Sequence, residues 1–467
     1  MLVGIAVLLV ILLAGCNPIK PQNRMECAAI SAAPYAHAHA SAAVPRQHLK
    51  ELWWQQFHDR QLQRLMEQML RDNQSVEAAR ARVAAARAAL HIQQAQLLPW
   101  LDISGSATRQ RLPAAVETQG NVYTLQASAG YEVDLWRKLD ERSAAAQARL
   151  EISKAERDAA ILSFSAQLAT AYYIYQQQCQ QLAIARTQED LRHRYRDFVK
   201  LRYNYGLEPS REIYKAQQAY DNAANVAELL NINRVNSRHT IAALLGIRYN
   251  RLHLRPLPQF PVKLPLPRHG VPADLLLRRP DVKAAWQRFA AADAEHAAAV
   301  AEQLPSLTLQ AAAGLTRNSV GIKRIDDIFW SLAASAVQPL FDGGRRKWRV
   351  EQQQALVNQR RAEAQQTLLA AITEVEQLLN KLEGEQRMIN RLSHREQQAS
   401  ADLERVRRLY DKGAADALHV IEANDFTLTL RRQLLQTRYQ HVASTIALIR
   451  ALGGTWMARY AKAEPTP

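Results

Sequence analysis

The stretch YEVDLWRKLDERSAAAQARLE (131–151) begins with alternating apolar and polar residues and then abruptly loses that rhythm. About two hundred residues later ASAVQPLFDGGRRKWRVEQQQ (334–354) makes a similar change. A period of two belongs to a strand with two different faces, and a long polar tract rich in Ala, Gln, Arg, Leu and Glu belongs to a helix. The chain therefore turns a strand into a long helix twice.

The flanking landmarks show why. QLLPWLDISGSATR (96–109) is echoed by EQLPSLTLQAAAGLTR (302–317), and Pro305 lies 206 residues after Pro99. LRYNYGLEPSREIYKAQ (201–217) is echoed by RRLYDKGAADALHVIEA (407–423), with Gly413 lying 207 residues after Gly206. ALLGI (243–247) is echoed by ALGGT (451–455), where Gly453 again lies 207 residues after Gly246. Three landmarks that keep one offset within a residue describe a duplication. The copies are separated by RLHLRPLPQFPVKLPLPRHGVP (251–272), whose prolines forbid a continuous helix.

Each copy reads alike: a helix (about Gln61–Leu98, then about Pro280–Leu304), two strands, a long helix, a turn and a returning helix. In the first copy Leu101, Ile103, Gly105 and Ala107 alternate with Asp102, Ser104, Ser106 and Thr108, and a second run does so from Tyr123 to Leu135. In the second copy Leu307, Leu309, Ala311, Ala313 and Leu315 share one face, and a fourth strand is expected over about Trp330–Leu340 with a weaker pattern. Helical tracts follow over about Asp140–Tyr205 and Arg345–Lys412, each about 100 Å long. Gly206 and Gly413 then supply the tight turns of two helical hairpins. Trp136 in the first copy, and Gly343 and Gly344 in the second, mark the strand-to-helix turns.

Four strands per chain cannot close a barrel, and an open strand edge cannot sit in lipid. The expected solution is a ring of identical subunits sharing one barrel.

Bulk properties agree with long helices. The 467 residues contain only 16 glycines, and 60 basic against 44 acidic residues give a net charge of +16. The basic residues are spread along helices among Glu and Asp, which argues for a solvated surface rather than a nucleic-acid site. No GxxxxGK[ST], HExxH or paired CxxC occurs, so no catalytic, metal or cofactor constellation is expected. Of the three cysteines, Cys16 stands apart. It follows MLVGIAVLLVILLAG, too short to span a bilayer and suited to a signal-peptide core. LLAGC resembles a bacterial lipobox, which implies cleavage before Cys16, its acylation and, with Asn17 next, sorting to the outer membrane. No Lys or Arg precedes Lys20, a departure from such signals that implies either a start upstream of Met1 or a signal that works poorly. HAHA (37–40) sits in a Pro- and Ala-rich linker without a partner carboxylate, and no metal is expected there.

With both copies in view, the chain resembles the outer-membrane efflux proteins, the TolC, OprM and NodT group. LLLRRPDVKAAW (275–286) is similar to the passage that opens the second repeat in the lipoprotein branch. QPLFDGGRR (338–346) and YEVDLW (131–136) resemble its two strand-to-helix turns, and WWQQFHDRQLQRLMEQML (53–70) its opening. Arg137 departs from the pattern, since the family usually carries glycine there, which implies a stiffened or shifted first turn.

The resemblance implies a mainly α fold with membrane β: a homotrimer forming a twelve-stranded outer-membrane barrel continuous with a long periplasmic α-helical barrel. Its domain organisation would be a signal peptide (1–15), a lipidated linker (16–48), a first repeat (49–250), a Pro-rich linker (251–272), a second repeat (273–456) and a tail (457–467). Such a protein is the passive exit duct of a tripartite efflux system, with a periplasmic adaptor and an inner-membrane pump as partners, and is not an enzyme. By the same resemblance the periplasmic tips close the pore, which makes Glu212, Glu422 and His419 the candidate constriction residues. A threefold ring of carboxylates attracts cations, and an imidazole beside it adds positive charge in mild acid. Each residue is equally at home on a solvated helix. A helical tethering lipoprotein without transport would explain the helices, but not the four alternating segments.

Overall fold

A computed structural model describes residues 52–112, 118–258, 260, 279–318 and 325–454. Cys16, Cys27, the HAHA segment and the tail from 457 lie outside the described residues.

The elements run α1 (Arg60–Asp72), α2 (Gln74–Ala95), β1 (Trp100–Leu112), β2 (Thr118–Val133), α3 (Lys138–Asn204), α4 (Ser210–Leu244), α5 (Pro280–Ala301), β3 (Ser306–Asn318), β4 (Ile325–Val337), α6 (Arg345–Asp411) and α7 (Ala417–Ala451). The order is duplicated: α3 and α6 both have 67 residues, and α4 and α7 both have 35. One expected helix is two, because Asn73 interrupts it. Its Oδ1 accepts from the backbone N–H groups of Ser75 and Val76 at 2.8 and 3.1 Å, so it caps α2 instead of extending α1.

The chain forms two compact units. The first contains Ala81–Ala155 and Lys283–Thr367 and carries the sheet. Its four strands pair antiparallel in the order β1-β2-β3-β4. Register sets Gly105, Leu125, Leu315 and Ile328 in one row, and Ile103, Ala127, Ala313 and Trp330 in the next. The fourth strand begins and ends earlier than its sequence pattern suggests, and it stops short of Pro339, which cannot donate to a ladder. Register also explains its weak pattern: Ile328, Trp330 and Leu332 continue the apolar face, while Phe329 and Ala333 stand on the other. Nothing in the described chain covers that apolar face, where Ile328, Trp330 and Leu332 are 74, 78 and 77% exposed. β1 and β4 are both free edges. An apolar face of this size with two open edges is not stable in water. Small apolar clusters pack the helices of this unit, with Val83 and Leu90 against Ala146 and Leu150, and Phe289 and Ala292 against Val357.

The second unit contains the described parts of Cys27–Arg80, Glu156–Val282 and Leu368–Pro467. Its core gathers Trp53, Trp54, Leu62, Met66 and Met69 around Tyr172, Tyr173 and Ile241. Asp59 caps α1 by accepting from Gln61 and Leu62, and also accepts from the Tyr172 hydroxyl at 2.8 Å. The duplication extends to single bonds. Ser237 donates to Gln178 at 2.6 Å, and 207 residues later Ser444 donates to Glu385 at 3.0 Å. No described helix is long and apolar enough to cross a membrane.

Candidate functional site

The strand-to-helix turns carry their geometry in the backbone. Gly343 and Gly344 have φ of 67° and 83°. With the 207-residue offset, Trp136 and Arg137 occupy the matching positions, and Arg137 has φ of 61°. The first turn thus keeps the left-handed conformation at one of the two positions, Arg137 but not Trp136, and does so without glycine, at a steric cost. Arg137 pairs with Asp140 at 2.5 Å, and the Trp136 indole donates to the carbonyl of Pro305 at 2.7 Å. That indole bond ties the end of β2 to the start of β3.

The hairpin turns are also matched. Gly206 and Gly413 both have φ of 71°, a conformation glycine adopts without strain. Leu207 N–H donates back to Arg202 at 2.9 Å, and Ala414 N–H to Leu409 at 2.8 Å, closing α3 and α6 in the same way. The first turn carries an extra staple, Arg202 to Glu208 at 2.9 Å.

Glu212 lies in the first turn of α4 and pairs with Lys215 at 2.7 Å. Glu422 and His419 lie three residues apart near the start of α7, both exposed, and neither side chain has a hydrogen bond or ion pair among the described residues. Tyr195 on α3 feels the charge of two of the three. Burial pushes its hydroxyl pKa up, and the charges of Glu212, Glu208 and Glu422 push it further. Three carboxylates from two hairpins therefore act on one phenol. Deeper along the same helices Asp425 accepts from Arg192 at 2.8 Å and from Gln188 at 3.1 Å. Tyr195, Glu208, Arg192 and Asp425 were not singled out from sequence. Asp425 lies three residues beyond Glu422, so helical periodicity alone could have flagged it.

The opening of the second repeat is a clamp. Arg279, nearly buried, donates to Asp281 at 2.8 Å, to Glu374 at 2.9 Å and to the carbonyl of Ala451 at 2.7 Å. Asp281 also accepts from Val282 N–H, as a residue at a helix start should.

With this architecture in view, comparison with known proteins is decisive. The chain matches the profile of the Outer membrane efflux protein family over residues 65–247 and 271–454. It belongs to that family: a mainly α outer-membrane efflux channel protein with a small β-sheet. It is 29% identical over 418 residues to the pyoverdine export outer membrane protein OpmQ of Pseudomonas putida, covering 87% of this chain and 88% of that one. It is 28% identical over 477 residues to the toluene efflux pump outer membrane protein TtgF of Pseudomonas putida, covering 97% and 96%. Among solved structures it is similar to the outer-membrane channel OprN, with a TM-score of 0.81 at 25% identity over 94% of this chain and all of that one. It is likewise similar to the outer membrane protein VceC from Vibrio cholerae, with a TM-score of 0.76 at 25% identity, covering 86% and 98%.

Proposed function

We propose that three copies of this chain close one twelve-stranded barrel in the outer membrane and one helical tube below it. The assembly is the passive exit duct of a tripartite system for small molecules. The observation that carries this reading is the four-stranded sheet, with two free edges and an uncovered apolar face. Lipid satisfies that face, and only neighbouring strands satisfy the edges. A tethering lipoprotein has no use for either.

In this reading the turns at Gly206 and Gly413 meet a periplasmic adaptor and, through it, an inner-membrane pump that supplies the energy. Glu212, Glu422 and His419 line the closed aperture between them. Residues 49–250 and 273–456 form the two repeats, joined by 251–272. Cys16, after removal of residues 1–15, carries the lipid anchor of the 16–48 linker, with labelling by a fatty-acid analogue lost in Cys16→Ser. The duct itself makes and breaks no bonds.

Expression in a strain lacking other exit ducts tests the proposal. Heat-dissociable trimers in the outer-membrane fraction, together with restored drug tolerance that requires a pump and adaptor, are expected. A monomer in the periplasm, or tolerance independent of any pump, contradicts it.

A further inference from the structure

The second unit carries a strongly basic concavity among its described residues. A cavity of about 910 Å³ opens between α1, α4 and the loop after α4, and six arginines line it: Arg60, Arg64, Arg234, Arg238, Arg251 and Arg255. His253 joins them, and no Asp or Glu is among the lining residues. Six like charges around one space repel one another unless an anion sits among them.

The site is built rather than incidental. Arg60 and Arg64 stand one turn apart on α1, so they share a face. Gln61 staples the loop to that helix, its amide donating to the carbonyl of Arg255 at 3.2 Å and accepting from its N–H at 3.1 Å. Gln176 holds the same carbonyl at 3.1 Å and accepts from Leu257 N–H at 2.8 Å. Arg238 is fixed by Tyr249, donating to its hydroxyl at 3.0 Å with the guanidinium 4.6 Å from the ring centre. The Nε atoms of Arg234 and Arg238 are buried without a hydrogen-bond partner. Duplication does not explain the cluster, because the 207-residue offset puts His441 and Thr445 where Arg234 and Arg238 stand.

We propose that this cavity binds a compact polyanion bearing more than one phosphate charge. Guanidinium forks match phosphate oxygens in pairs, and the volume suits a small ligand rather than a protein segment. The source is either a free phosphate compound or a phosphorylated lipid headgroup, which share this chemistry.

Calorimetric titration of the detergent-solubilised full-length protein in phosphate-free buffer tests the site, using inorganic pyrophosphate and soluble dihexanoyl phosphatidic acid as probes. Saturable binding at one site per chain is expected, weakened by added salt and at least about tenfold weaker in Arg64→Gln/Arg255→Gln. Both positions are exposed, so an unchanged melting temperature serves as the folding control. Arg391→Gln/Arg395→Gln, on α6, should bind like the parent. Tighter binding of phosphatidic acid assigns a lipid source, and tighter binding of pyrophosphate assigns a free one. Absence of binding by both probes, or equal affinity in the Arg64/Arg255 variant, overturns the proposal.

Discussion

Arg279 donates to the carbonyl of Ala451 at 2.7 Å, and one repeat earlier Asn73 donates to that of Leu244 at 2.6 Å. In both copies the residue before the first helical position grips the last turn of the returning helix. The glycines that follow complete the joint. A Cβ on Gly453 would meet Arg279 Cα at 3.2 Å, and one on Gly246 would meet the carbonyl oxygen of Asp72 at 2.8 Å. Each repeat is thus fastened at its ends by one side chain and one close backbone contact.

Arg279→Ala removes the carbonyl bond and leaves Asp281 without its partner, while Glu374 keeps Arg450 at 3.0 Å. A cost of about 2 kcal/mol is expected. Asn73→Ala loses a helix cap and should cost about 1 kcal/mol. Thermal unfolding of the detergent-solubilised protein measures both, and no change in either variant would show that the clamps are dispensable.

Acid should loosen the same joint. Burial alone pushes the Asp281 carboxyl up, but the hydrogen bonds and charge of Arg279, with Val282 N–H, outweigh it and hold the group below the ordinary carboxylate range. A depressed folded value means that the stabilisation is present above the ordinary pKa of about 4 and is lost as pH falls through the lower folded value. Asp281→Asn should therefore melt below the parent at neutral pH, with the gap narrowing in stronger acid. Melting curves across that range are the check, and a constant gap counts against the linkage.

Arg137→Gly should stabilise the protein. Releasing a non-glycine residue from the left-handed region recovers about 1–2 kcal/mol. That exceeds the roughly 0.4–1 kcal/mol of unfolded-chain freedom that glycine adds. The exposed pair with Asp140 contributes little. A rise in melting temperature is expected, and a fall would mean that the ion pair matters more than the strain.

At the candidate aperture, Glu422→Gln should weaken a preference for cations in planar-bilayer recordings, because it removes three charges from the proposed ring. Unchanged reversal potentials would place the constriction elsewhere, with Asp425 the next position to test.

How much of this could be read from sequence depends on the range of the interaction. Gly206, Gly413 and the strand alternation were legible because turns and pleats are local and occur twice. The reading of one helix over Gln61–Leu98 failed because Asn73 acts through its own backbone neighbours and a distant carbonyl. The weak pattern of β4 became clear only once register placed Trp330 beside Ala313. Arg137 was noticed as a departure, but its backbone conformation was not predictable from the residue type. The clamp at Arg279 and the arginine cavity join segments far apart in the chain, and nothing local announces them. Which way Glu422 faces depends on neighbouring copies.

The central claim is that free edges of identical chains pair. It is tested most directly by a cysteine at Ser104 in β1, combined in turn with one at Asp327, Phe329, Ser331, Ala333, Ser335 or Val337 in β4, with Cys27 and Cys179 replaced by serine. Phe329 aligns with Ser104 across the sheet and the other positions share its face, while the stagger of a closed barrel shifts which row meets Ser104 of the next copy. Oxidation in isolated outer membranes should give, for at least one pair, a covalent ladder of two and then three chains that stops there, with single-cysteine controls remaining uncrosslinked. No crosslink at any of these β4 positions, or a ladder running beyond three chains, would contradict the shared barrel.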